Sequence, residues 1–240
     1  MANQLPYDAT MMPTELKRNI SEVDRRIRAA EQASGRATGT VSLLAVSKTK
    51  PSELVRQAYG FGLSAFGENY AQEMAEKAAA LADLPLSWHF IGPIQSNKTA
   101  VIAEVSDWVH SIDRLKVARR LSEQRPDGKA PLNVLVQINT SNENSKSGVR
   151  SDAAPELLEA ISELPGLRLR GLMTIPAATT HQTAQREPFR QLSELMARLS
   201  DSLPQLDTLS MGMSGDLEAA VSEGANIVRV GTDIFGARYN

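Results

Sequence analysis

Apolar residues in this chain fall into short, nearly unbroken runs separated by longer stretches with helical spacing. Eight runs stand out: 41–47, 65–68, 88–91, 108–112, 133–138, 167–174, 208–211 and 227–230. Several are almost continuous in Val, Leu and Ile, as a strand covered on both faces should be. Helical patterns fill the intervals at 52–59, 71–84, 97–105, 113–124, 152–164, 187–203 and 215–223. Pro51 and Ser52 supply a start signal. Asp113 and Asp152 are expected to cap the helices they precede, and Gly224 sits where a helix end wants a left-handed residue. A further amphipathic helix at 13–33 precedes the first strand and is long enough to cover the bottom or side of the fold.

Eight strands alternating with helices predict an α/β protein whose parallel sheet closes into a single (β/α)8 TIM barrel, one domain over residues 1–240. The rival is an open doubly wound sheet. Its usual G-x-G-x-x-G turn after the first strand is missing, and Ser-Lys-Thr-Lys-Pro stands there instead. With 26 basic against 28 acidic residues and a net charge of −2, charge argues for neither nucleic acid nor an anionic membrane. No cysteine is present, which excludes disulfide and thiolate chemistry and fits a reducing compartment. The N-terminal stretch lacks the pattern of a signal peptide, and no apolar run approaches bilayer length. A cytoplasmic protein, membrane-free and monomeric, is the expectation.

In a barrel, functional side chains project from the C-terminal ends of the strands. The first such end carries Lys48, directly after Leu43-Leu44-Ala45-Val46-Ser47. Desolvation there favours a neutral amine, which can attack an aldehyde and form a Schiff base. The alternative is a lysine that snorkels to solvent; Lys50 competes for the same role. The seventh strand runs into Met211-Gly212-Met213-Ser214-Gly215-Asp216, and the eighth, carrying Arg229, into Gly231-Thr232. Loops after strands seven and eight recurrently hold phosphate in such barrels. Ordinary capping is the plainer reading of each loop. Arg229 either forms a salt bridge or structural hydrogen bonds, or faces a cofactor ring nitrogen, which a permanent cation would keep unprotonated. His89 and His110 lack metal-ligand spacing and read as core or barrel-mouth residues; His181 reads as exposed. The 143–149 segment is either a mobile loop over the mouth or a polar connection.

The same residues carry a resemblance. LLAVSKTKP (43–51), FGENYAQE (66–73), WHFIGPIQSNK (88–98), VQINTSNENSKSGV (136–149), LRGLMTIP (169–176), LSMGMSGDLEAAVSEG (209–224) and VRVGTDIFGAR (228–238) resemble, in order, the pyridoxal phosphate homeostasis proteins. The resemblance implies a barrel similar to the alanine racemase N-terminal domain, with pyridoxal 5′-phosphate (PLP) held as a Schiff base on Lys48. It implies phosphate contacts from Ser214, Gly231 and Thr232 with backbone near Met213, and Arg229 at the pyridine nitrogen. Asn69 would lie beside the cofactor, with His89 and Met173 lining the cavity. It further implies a carrier acting on intracellular vitamin B6, with PLP-dependent apoenzymes as acceptors. Asp233 departs from the small or neutral residue expected after Gly231-Thr232. Aimed at the phosphate it weakens binding; turned away it is harmless. The alternative function is an amino-acid racemase. Such an enzyme needs a proton donor on each face of the substrate carbon. None of Tyr7, Tyr59, Tyr70 and Tyr239 is evidently placed for this, and, with the sequence given stopping four residues after Gly231-Thr232-Asp233-Ile234-Phe235-Gly236, a second domain is not expected.

Overall fold

The computed structural model describes residues 11–141, 147–179 and 181–237. Tyr7, Tyr239 and residues 143–146 of the expected mouth loop lie outside them. Eight parallel strands close in sequence order into a barrel. They are β1 (Ser42–Val46), β2 (Ala65–Glu68), β3 (Ser87–Phe90), β4 (Trp108–Ile112), β5 (Leu132–Gln137), β6 (Leu167–Met173), β7 (Thr208–Ser210) and β8 (Ile227–Val230). The helices are α1 (Pro13–Ala33), α2 (Ser52–Gly60), α3 (Ala71–Ala80), α4 (Thr99–Val105), α5 (Leu115–Glu123), α6 (Ala154–Ser162), α7 (Gln182–Leu199), α8 (Leu217–Ser222) and α9 (Thr232–Phe235).

Strand alternation sorts the side chains. One parity, including Phe66, Val109, Val134 and Val228, joins the continuous core between barrel and helices. The other parity faces the barrel interior, where Leu44, Ile91 and Ile227 form a small separate cluster. Trp108 closes one end of that interior: His89 stacks on it at 5.6 Å, and Arg170 sits 4.9 Å from its ring while pairing with Asp207.

Helix α1 buries Leu16, Ile20, Val23 and Ile27 at helical spacing. It packs along the side of the barrel against α8, α9 and α2. Each such aliphatic side chain contributes about 1.5–3 kcal/mol on burial. The buried carboxylate of Glu31 fixes the passage into β1, accepting from the amides of Gly39 and Val41 at 3.0 and 2.7 Å and from Arg28. Burial pushes its pKa up, but these donors outweigh it and hold the group below the ordinary glutamate range.

Three local expectations fail. Asp113 and Asp152 do not cap: their carboxylates pair with Arg114 and Arg150, and the helices begin at Leu115 and Ala154. Helix α7 begins at Gln182, ahead of Pro188, although proline favours a first turn. Its opening is held by the Gln185 amide donating to His181 O and by the Gln185 side chain donating to Thr179 O and Gly215 O. Helix α9, directly after Gly231, has no apolar periodicity long enough to announce it.

Candidate functional site

The barrel brings Lys48 and the two Gly/Ser/Thr loops to one rim. Strands β1 and β8 are neighbours, with Leu44 opposite Arg229 and Ala45 opposite Val230. Lys48 shares the inward parity of Leu44 and Val46, and the ladder continues past β1 through the Ser47 amide donating to Gly67 O at 3.0 Å. A Cβ on Gly231 would stand 3.1 Å from Val46 O, so the backbone after β8 lies directly against the strand that carries Lys48. Lys48 is half-buried.

The turn holding Lys48 is unusual. The Lys50 amide donates to Ser47 O at 3.0 Å, and Thr49 has φ +64°, the only positive φ among described non-glycine residues. Ser47 O also accepts from Lys77 Nζ at 2.7 Å. The buried Lys77 ammonium donates besides to Glu68 Oε1 and Glu73 Oε1, both at 2.7 Å. Glu68 is fully buried; burial pushes its pKa up against the pull of Lys77. Lys50 is drawn elsewhere, its Nζ donating to Phe235 O at 2.8 Å.

Just past the end of β2, Asn69 is half-buried, and its Oδ1 is buried with no hydrogen-bond partner. A buried amide oxygen without a donor is costly, and such a group at a barrel mouth suits a polar ligand.

Deeper in the barrel runs a polar chain. Arg229, 3% exposed, donates to Ser210 Oγ and Thr174 O, both at 2.8 Å. Ser210 Oγ lies 2.8 Å from His110 Nδ1, His110 Nε2 lies 2.9 Å from His89 Nδ1, and His89 Nε2 lies 3.2 Å from Ser87 Oγ. A guanidinium can only donate, so Ser210 Oγ accepts from Arg229 and keeps its own proton available for His110 Nδ1. With Ser210 donating to His110, His110 Nε2–H donates to His89 and His89 Nε2–H to Ser87. Both imidazoles are then neutral. Burial holds His89 at about 3; burial, His89 and Arg229 push His110 down as well. Burial also lowers Arg229, to about 10, which leaves it charged at neutral pH. Met173 ends β6 in register with Gln137 and Ser210 and is fully buried on the interior parity.

The loop after β7 turns on Gly212, whose φ is +94° and where a Cβ would fall 2.5 Å from Ala220 Cβ. The Met213 amide donates to Asp216 Oδ1 at 2.5 Å, so Asp216 already occupies that donor. Burial raises the Asp216 pKa. Ser214 is half-buried, and Thr232 is exposed at the start of α9. Arg26 of α1 ties the two loops together, donating to Ser214 O at 2.9 Å, to both Glu218 oxygens and to Asp233 Oδ2 at 2.6 Å. Asp233 is thus engaged by Arg26.

Sequence reading had no signal for Arg26, whose partners lie 188 to 207 positions away. The Glu73–Lys77 pair was legible as i,i+4 neighbours; its convergence with Glu68 and Ser47 was not. His181 is exposed, and no cluster of potential metal ligands exists among the described residues. Nor is any helix among them long and apolar enough to cross a membrane.

Comparison with known proteins places this geometry. A family model described as alanine racemase, N-terminal domain, matches residues 18–239. A Pseudomonas aeruginosa protein named pyridoxal phosphate homeostasis protein is 61% identical over 220 residues, covering 92% of this chain and 94% of that one. PipY from Synechococcus elongatus, solved with PLP bound, superposes with a TM-score of 0.79 at 34% identity, over 92% of this chain and 100% of that one. Alanine racemase from Corynebacterium glutamicum has a TM-score of 0.67 at 16% identity, over 91% of this chain and 61% of that one, a likeness of fold alone. The chain belongs to the alanine racemase N-terminal domain family and, within it, to the pyridoxal phosphate homeostasis proteins.

Proposed function

We propose that this protein binds PLP on the C-terminal rim of its barrel, through a Schiff base on Lys48, and serves intracellular PLP homeostasis as a carrier. The observation that supports this most is the convergence of Lys48 and the Gly231 backbone on neighbouring strands at one rim. PLP supplies an aldehyde, with which a lysine amine condenses with loss of one water.

The residues present fit such a group. The unpartnered Asn69 Oδ1 is a buried polar atom at the mouth. Arg229 is a buried cation that donates to a hydroxyl and a carbonyl, suited to the pyridine nitrogen. Ser214, Gly231 and Thr232 would hold the phosphate with the backbone that follows Met213, whose own amide is taken by Asp216. His89 and Met173 would shape the cavity from below. Asp233, paired with Arg26, is drawn toward α1. In this reading a cytoplasmic monomer hands PLP to PLP-dependent apoenzymes.

The test is direct. The isolated protein is expected to be yellow, and Lys48→Ala to lose the visible band. Loaded protein should reactivate an apoenzyme faster than its PLP appears in bulk solvent. An unchanged spectrum in Lys48→Ala rules out the attachment point. Steady racemisation of an amino acid at enzyme-like rates overturns the carrier role.

A further inference from the structure

We propose that Glu73 and Lys77 are positioning residues for Lys48: with the buried Glu68 they form a charge cluster, buried at Lys77 and half-buried at Glu73, that fixes the backbone on both sides of this lysine. The inference rests on the reading of Lys48 as the attachment point. Two peptide planes meet at the Lys48 Cα. One carries Ser47 O, which accepts from Lys77 Nζ at 2.7 Å. The other carries the Thr49 amide, which donates to Glu73 Oε1 at 2.6 Å. Both grips lead to the same ion cluster, because Glu73 Oε1 also takes Lys77 Nζ at 2.7 Å. Ser47 is held a second way, its hydroxyl donating to Glu68 Oε1 at 2.7 Å. The φ and ψ of Lys48 are therefore fixed from outside the turn.

The turn needs that support. Its Lys50 to Ser47 hydrogen bond makes Thr49 the third residue of a β-turn, and Thr49 has φ +64°. A positive φ at this position is a glycine or asparagine preference, and a β-branched residue there is strained. Glu73 supplies an acceptor for the amide of that strained residue. The sequence thus carries both the strain and its restraint, as a site does when its geometry is set by surroundings and not by local preference.

The experiment separates positioning from binding. Pyridoxine 5′-phosphate, which has an alcohol in place of the aldehyde, reports ring and phosphate binding alone. Borohydride trapping of PLP after timed mixing reports attack by Lys48. Glu73→Ala is expected to slow trapping about tenfold or more while pyridoxine 5′-phosphate affinity stays within about twofold, as misplacement of a reacting group demands. Glu73→Gln keeps an acceptor oxygen and should recover most of the rate. Adding Thr49→Gly to Glu73→Ala should also recover it, by relieving the strain that Glu73 restrains. Trapping at the parent rate in Glu73→Ala overturns the proposal, as does an equal loss of both ligands. A Lys48→Ala control that still traps PLP refutes instead the attachment point, so the two failures are distinguishable.

Discussion

The two sides of the candidate site are built from opposite materials. On the β1–β2 side, Lys77 and Glu68 meet with side-chain exposures of 7% and 0%, and the backbone around Lys48 is strained and pinned. On the β7–β8 side, Arg26 meets Glu218 and Asp233 with exposures of 23%, 52% and 34%, and the loop turns on glycine. The difference matches two chemical demands. An amine that must meet a carbonyl carbon needs a fixed direction, which a charge cluster with a buried Lys77–Glu68 pair at its centre enforces. An anion needs donors and field, which half-solvated loops supply while still exchanging with water.

Stability measurements sharpen this contrast. Lys77→Met leaves Glu68 buried and unpaired, and should cost roughly 3–5 kcal/mol in urea unfolding. Arg26→Met breaks a partly solvated set of pairs and should cost at most about 1 kcal/mol, with a visible increase in PLP release. Comparable costs for the two variants would dissolve the distinction.

A smaller effect lies at Glu31, remote from both sides. Its folded pKa is held below the ordinary glutamate value of about 4.3. Its charged form therefore stabilises the fold above that range, and the contribution disappears as pH falls through the folded value. Glu31→Gln should be less stable than the parent by about 1–3 kcal/mol at neutral pH, and the gap should close on acidification. A gap independent of pH would show that the charge is immaterial.

The sequence made one side of this comparison more legible than the other. The eight apolar runs marked every strand because a strand covered on both faces is largely apolar. Lys48, Arg229 and the loops at 212–216 and 231–232 were readable from their places at strand ends. What stayed hidden was whatever depends on convergence. His110 was expected in the core or at the barrel mouth, and only the fold shows that with Ser210 it completes the chain that orients Arg229. Nothing in the α1 pattern marks Arg26 as the tie between two loops, and Asp216, open to reading as a helix cap, accepts from the Met213 amide. The capping expected of Asp113 and Asp152 failed because an arginine one or two positions away competes for each carboxylate. Short polar side chains choose among neighbours that only the fold supplies.

Borohydride reduction of PLP-loaded protein, followed by peptide mapping with inorganic phosphate as competitor, probes the shared rim most directly. One equivalent of label on Lys48, suppressed by phosphate, is the expected outcome. Label on Lys50 or scattered over surface lysines, or labelling indifferent to phosphate, would mean that the amine and the two loops do not serve one ligand.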